Sequence, residues 1–353
     1  MEFGLQYNIH VTKNEIRESG LKILGAEYRE LPFAGSAPVI RIGCFELEAA
    51  LLEGALGELH MSGVKYLVIE TIGLREAFEA ERLKRILVKH APILQEKEIG
   101  VCIENGYVVE RERVYRGVLS DGGTLARFVD ELNEKSGTEI FRAAFNVGCA
   151  ELLLLRVSEH ARALGKRTKV IYISENDGRD DLRQFPFTFT FLKGAPLVNW
   201  YRFTGYYMRE NPDVFCIGDI KGTFAACPKE LGRTYLNLFA AICNEWEYHS
   251  KTPERLADRS RKLILFGAGE MLFYYMKEWG KQYPPAFAVD NNSALWGKKV
   301  HGVKVESPEK ILEIPKEERN VVICNLQYLE EIKSQLEGMG VNAERYRRDY
   351  FDR

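Results

Sequence analysis

Three apolar runs in this chain of 353 residues stop on carboxylate or amide side chains: Gly100-Val-Cys-Ile-Glu104-Asn105-Gly106, Phe141-Arg-Ala-Ala-Phe-Asn146-Val-Gly148 and Lys169-Val-Ile-Tyr172-Ile-Ser-Glu175-Asn-Asp177-Gly178. A fourth, Val214-Phe-Cys-Ile-Gly-Asp219, stops on Asp219. A carboxylate at such an end can hold a metal or move a proton. Glu104 and Asp219, facing each other across one pocket, would pass a proton between the two faces of a sugar carbon, which epimerisation and aldose–ketose isomerisation both require. Glu175 adds a third catalytic candidate, in an acidic loop with Asp177, Asp180 and Asp181. His10, Asn146, Tyr172, Asp177 and Trp200 are candidate substrate-binding residues, and Phe187 joins Trp200 as a candidate pocket wall. Each has a plainer reading. Glu104 can be a rim ion pair, the acidic loop a solvated turn, His10 a structural histidine, and the aromatics simple core.

Such residues must be held by strands that end where the chemistry lies, and a parallel barrel keeps its reactive groups at the C-terminal ends of its strands. Strand-like segments fall near 5–10, 26–31, 64–70, 99–104, 141–146, 169–175, 185–191 and 214–219. Helical spacing falls near 46–61, 75–97, 122–136, 149–164, 196–210 and 228–248. About eight strand–helix steps in 250 residues is the usual size of a (β/α)8 TIM barrel. Residues 1–249 are therefore expected to form the barrel. The charged stretch 250–261 is expected to be a linker, and 262–353 a small Rossmann-like parallel α/β domain.

The formal net charge of −2 gives no basic footprint for nucleic acid. No apolar run is long enough to suggest a membrane span, and no signal peptide is visible at the N-terminus. Seven cysteines, an odd number with no CxxC among them, point to reduced thiols and a cytoplasmic protein.

Residues 1 to about 249 resemble the xylose-isomerase-like barrels, the sugar phosphate isomerase/epimerase group. The resemblance rests on Ile103-Glu104-Asn105-Gly106, on Asn146-Val-Gly148 before a helix, on Val170-Ile-Tyr172-Ile-Ser-Glu175-Asn-Asp177-Gly178, on Val198-Asn-Trp200 and on the strand end at Asp219. It implies a metal-assisted proton transfer on a small sugar or sugar phosphate. One divalent metal (Mn, Zn, Co or Mg) would be held by Glu, Asp, His and Glu from four strand ends. Here those places hold Glu104, Asn146, Tyr172 and Asp219, and Cys149 stands where a histidine is frequent. Two charged ligands remain, Glu104 and Asp219. The site would then work without metal, recruit the acidic loop, or only bind carbohydrate as a non-catalytic protein on a degenerate barrel.

Near the C-terminus an apolar strand runs into Gly267-Ala-Gly269 and a helix, and Asp290 lies 21 residues after Gly269. That order suits a nucleotide or sugar nucleotide, with the phosphate on the helix N-terminus and Asp290 on the ribose. A Rossmann-like packing unit without nucleotide has the same pattern. The segment from Asp290 through Gly297, Gly302 and Ser307-Pro308-Glu309 resembles a small module appended to glycan-biosynthesis proteins, which implies carbohydrate or surface-polysaccharide metabolism. The expected partner is a small sugar, with no nucleic acid and no membrane, and homo-oligomerisation is open.

Overall fold

Eight short parallel strands close on themselves in the first of two compact units, Met1–Trp246 and Glu247–Arg353. The computed structural model describes residues 1–7, 13–30, 37–44, 46–188, 198, 200–211, 213–250, 260–325 and 327–345. The chain builds β1 (Glu2–Gln6), β2 (Ile23–Glu27), β3 (Val39–Gly43), β4 (Tyr66–Glu70) and β5 (Gly100–Glu104). A hairpin follows, β6 (Tyr107–Glu110) with β7 (Arg113–Arg116), and then come β8 (Phe141–Asn146), β9 (Thr168–Ile173) and β10 (Phe215–Gly218). The barrel order is β1-β10-β9-β8-β5-β4-β3-β2, so the hairpin lies outside it.

Alternation along the strands sorts the side chains into two cores. Leu24, Val39, Val68, Cys102, Ala144, Val170, Tyr172 and Ile217 pack together inside the barrel. Ile40, Ile42, Leu67, Ile69, Val101, Ile103, Phe145, Ile171 and Ile173 join the larger core shared with the surrounding helices. The helix Ala77–Glu96 buries Ala80, Leu83, Leu87, Ala91 and Leu94 along one stripe and starts with a Glu76/Glu79 capping box. The helix Gly122–Ser136 is capped by Asp121, which accepts from Thr124 N at 2.9 Å.

One expected strand is withdrawn and one unexpected strand takes its place in the barrel. The segment from 185 does not add a barrel strand: residues 185–188 form a turn, and 189–191 lie outside the described residues. Its Phe-Thr alternation mimics a strand, yet Phe185 packs edge-on against Tyr235 and Phe239. The missing strand is β3, where Arg41 interrupts an apolar run. The first two strands also lie a few residues earlier than expected, at Glu2–Gln6 and Ile23–Glu27.

The second unit carries a six-stranded sheet built from β11 (Lys262–Phe266), β12 (Phe287–Val289), β13 (Lys299–Val300), β14 (Val303–Glu306), β15 (Arg319–Ile323) and β16 (Ala343–Arg345). Its order is β13-β14-β12-β11-β15-β16. Five strands run parallel, and β13 pairs antiparallel with β14, so the sheet is mixed rather than purely parallel. Leu272 and Tyr275 of the helix Glu270–Glu278 pack with Leu263, Leu265, Ala288 and Val305. Ile332 and Leu336 of the helix Leu329–Gly338 pack with Ile264, Phe266, Val321 and Ile323. Helices thus cover both faces of this sheet. Most of the linker expected at 250–261 lies outside the described residues.

Candidate functional site

One step of two residues along six strands converts the apolar barrel interior into a polar floor. Val39 leads to Arg41, Val68 to Glu70, Cys102 to Glu104, Ala144 to Asn146, Val170 to Tyr172 and Ile217 to Asp219. Arg41 is the centre of this layer and is fully buried. Its Nε donates to Glu104 Oε2 at 2.8 Å, its Nη2 donates to Glu104 Oε1, and its Nη1 donates to Asp219 Oδ2 at 2.8 Å. Glu70 and Glu27 approach the same guanidinium at 3.6 and 3.9 Å. The Tyr172 ring lies against it, 4.3 Å from guanidinium carbon to ring centroid, a cation–π contact.

Arg183 braces Asp219 from the loop after β9. It donates through Nη1 to Asp219 Oδ2 at 2.9 Å and through Nε to Asp181 Oδ2 at 3.0 Å, and lies 3.7 Å from Glu70. Tyr107 donates its hydroxyl to Asp181 at 2.9 Å, which ties the hairpin to that loop. Asn146 acts on Glu104: its Nδ2 donates to Glu104 Oε1 at 2.7 Å, while its Oδ1 caps Cys149 N at 3.0 Å. Both polar atoms of the Asn146 side chain are therefore engaged.

The two floor carboxylates titrate in opposite directions. Burial pushes the Glu104 carboxyl up to about 7, against the pull of Arg41 and with the help of the Glu70 charge. Burial also works to raise Asp219, but Arg183 and Arg41 overcome it and hold that carboxyl down at about 2. Glu27 is raised as well, by desolvation and by the Asp219 and Glu70 charges, with Arg41 opposing. Three buried groups of this layer have atoms without a hydrogen-bond partner: the Tyr172 hydroxyl, Asp219 Oδ1 and the Gln6 side-chain amide. Gly25 beside Gln6 leaves room for that amide, since a Cβ there would lie 2.2 Å from Gln6 Oε1.

The structure brings Glu104, Asp219, Asn146 and Tyr172 together. It places Glu175 elsewhere: its Oε1 accepts from Phe187 N at 2.7 Å and from the Trp200 indole, and the residue is fully buried. Trp200 stacks on Trp246 at 5.6 Å and is core. Asp177 accepts from Arg179 N and Asp180 N at 2.9 and 3.1 Å, the solvated-turn arrangement. His10 lies outside the described residues. Sequence reasoning missed Arg41, Arg183, Glu27 and Glu70 as site residues. The available signal was an arginine alone in the run Val39-Ile-Arg41-Ile, since a buried guanidinium needs carboxylates around it.

In the second unit, Gly267 has φ +113 and faces Cys324 O so closely that a Cβ would lie 2.6 Å from it. Asp290 Oδ2 accepts from Ala268 N at 2.7 Å and Oδ1 from Asn292 N at 2.8 Å. The carboxylate thus closes the glycine loop on itself, and Gly269 is the N-cap of the following helix.

No family model and no curated protein sequence matches this chain. Among solved structures it is similar to an L-ribulose 3-epimerase, at 12% identity and TM-score 0.50, over 74% of this chain and 100% of that one. It is also similar to the IOLI protein solved with a binding zinc atom, at 10% identity and TM-score 0.50, over 71% of this chain and 100% of that one. A D-psicose 3-epimerase from Clostridium cellulolyticum H10 follows at 13% identity and TM-score 0.49, over 71% of this chain and 99% of that one. At this identity the likeness establishes the TIM-barrel fold alone.

The donor set at the barrel mouth does not fit a divalent cation of the kind the resemblance implies. Both Glu104 oxygens and Asp219 Oδ2 are spent on guanidinium groups, and Asn146 Oδ1 caps a helix. Among the described residues, no group of three or more His, Cys, Asp or Glu side chains is arranged to hold a metal ion.

Proposed function

We propose that the barrel binds a small sugar at this polar floor and moves a proton next to its carbonyl, as an isomerase or epimerase in carbohydrate metabolism. The observation that carries the reading is the Glu104 carboxyl, held near 7 at a strand end beside a guanidinium. A group near the working pH both takes and gives a proton efficiently. Asp219, held ionised, acts as an acceptor for a substrate hydroxyl through its unpartnered Oδ1 rather than as a base. Tyr172 and Gln6 offer a hydroxyl and an amide to the same ligand. Glu27, Glu70, Glu104, Asp181 and Asp219 outnumber Arg41 and Arg183 in this cluster. That excess of carboxyls favours a neutral sugar over a sugar phosphate.

A second reading, carbohydrate binding without turnover, is favoured by the engagement of both Glu104 oxygens with Arg41 and Asn146. Deuterium exchange into a panel of free ketoses and aldoses, followed by NMR, separates the two. The wild-type chain is expected to label the carbon next to the carbonyl. Glu104→Gln is expected to slow labelling about 10²-fold or more while sugar affinity changes little. Equal labelling by wild type and variant would remove Glu104 from the chemistry. Sugar binding with no labelling by either would establish the binding reading.

For the second unit we infer a Rossmann-like packing unit. The strand, glycine loop and helix in that order, with Asp290 at the next strand end, support a nucleotide or sugar nucleotide. The seat of Asp290 on Ala268 N supports a structural loop.

A further inference from the structure

We propose that Arg41 is this protein's permanent cation: its guanidinium occupies the point on which four strand-end carboxylates converge, and so takes the place of a divalent metal. Glu104 contacts Arg41 through both oxygens, Asp219 contacts it at 2.8 Å, and Glu70 and Glu27 stand at 3.6 and 3.9 Å. These residues come from the ends of β5, β4 and β2 and from the position just after β10, and Arg41 itself comes from β3. Glu104 and Asp219 are buried and Glu70 and Glu27 stand half-buried beside them, and two buried carboxylates would not gather there without a positive charge among them.

The arginine also explains the changed ligand positions. Tyr172 offers its ring face to the guanidinium, which an imidazole ligand would not need to do. Asn146 donates to Glu104, which fixes that carboxylate against the fork of Arg41. A guanidinium has five N–H groups. Arg41 spends three on Glu104 and Asp219, which leaves one on each terminal nitrogen, on the sides facing Glu70 and Glu27. Those two are available to a ligand oxygen. A guanidinium is a fixed donor with no exchangeable coordination sites, so the barrel is expected to be indifferent to chelators.

Metal uptake and stability report on Arg41 independently of turnover. The full-length wild-type chain is dialysed against Mn²⁺ or Zn²⁺, desalted and assayed by elemental analysis, calorimetric titration and thermal melting. It is expected to carry well under one equivalent, with no change of melting temperature on adding Mn²⁺ or EDTA. Arg41→Ala frees both Glu104 oxygens from Arg41 and leaves Asp219 and Glu70 with Arg183 alone, so these carboxylates can turn into a ligand arrangement that they do not form around the guanidinium. The variant is expected to bind about one equivalent of Mn²⁺ and to melt at a higher temperature with Mn²⁺ than with EDTA. If this variant does not fold alone, refolding in Mn²⁺ is expected to restore cooperative melting, and Arg41→Lys is expected to fold without metal. One equivalent of tightly held metal in the wild type would overturn the proposal. So would a folded Arg41→Ala chain that takes up no metal, or an unfolded one that Mn²⁺ does not restore. Failure of sugar labelling would overturn the isomerase reading and leave this one standing.

Discussion

Tyr172 condenses the problem of the site into one side chain. Its ring is used by Arg41, but its hydroxyl is buried without a partner. Leaving a buried donor unpaired costs about 1–3 kcal/mol, and such a group persists where a ligand completes it. Tyr172→Phe keeps the ring and removes the orphan. The variant is therefore expected to be as stable as the wild type or up to about 1 kcal/mol more stable in urea unfolding, and to bind sugar about tenfold more weakly. A clear loss of stability with unchanged sugar affinity would make the hydroxyl structural. At this scale the sequence was half legible. Glu104, Asn146 and Asp219 could be found because each ends an apolar run in a chain otherwise rich in surface charge, and Tyr172 from strand alternation and the resemblance to the xylose-isomerase-like barrels. Glu175 misled for a physical reason: with Tyr172 facing inward, strand alternation sends Ile173 and the carboxylate after Ser174 outward, to Trp200 and Phe187. Arg41 was missed despite that signal because a lone charge inside an apolar run argues against a buried strand unless its partners, distant in sequence by 63 and 178 positions, are known.

At the scale of elements, the helix Val147–Leu152 and the loop after β9 share a further buried acid. Glu151 Oε2 accepts from Asn176 N at 3.2 Å, and its Oε1 has no partner. Burial pushes this carboxyl up to about 9, and the Glu175 charge adds to the shift. The folded chain thus keeps Glu151 protonated where the unfolded chain has already ionised it. Below about 4.5, the ordinary value, both states are protonated and no penalty exists. Between about 4.5 and about 9 the unfolded state binds fewer protons, so stability falls as pH rises. Glu151→Gln keeps an acceptor for Asn176 N and removes that penalty. It is expected to raise unfolding free energy by about 1–3 kcal/mol at pH 7 and to flatten the decline between pH 5 and 9. Denaturant titrations at pH 5, 7 and 9 check this, and an unchanged slope would mean that Glu151 is ionised in the folded chain. Most barrel elements were readable from periodicity, because a strand buried on both faces is a short continuous apolar run. The exceptions were β3, which is broken by Arg41, and the turn beginning at Phe185, whose alternating Phe and Thr is a strand pattern used for core packing.

For the whole molecule, the second unit has its own sheet and its own two apolar clusters, so its stability can be perturbed separately. Its glycine loop and Asp290 were legible, but not the direction in which the carboxylate turns. In a ribose site Asp290 would present free oxygens to the ligand, whereas here they hold Ala268 N and Asn292 N. Trp296 adds to the closure by donating its indole N–H to Asp290 O at 2.7 Å. Asp290→Ala would leave the two loop amides without their carboxylate, a loss of about 1–3 kcal/mol for this unit after solvation of the exposed groups. Scanning calorimetry is expected to reveal that loss with little change in sugar binding by the barrel. In the same instrument, ADP, UDP and a UDP-sugar at millimolar concentration are expected to leave the wild-type transition where it is, because an anionic ligand meets a carboxylate already seated on the loop. A nucleotide that stabilises the wild type by RT ln(1 + [L]/Kd), but not Asp290→Ala, would reverse the assignment. Asp290 would then be a ligand-binding carboxylate that turns from Ala268 N to the ribose, and the second unit would be a nucleotide-binding module.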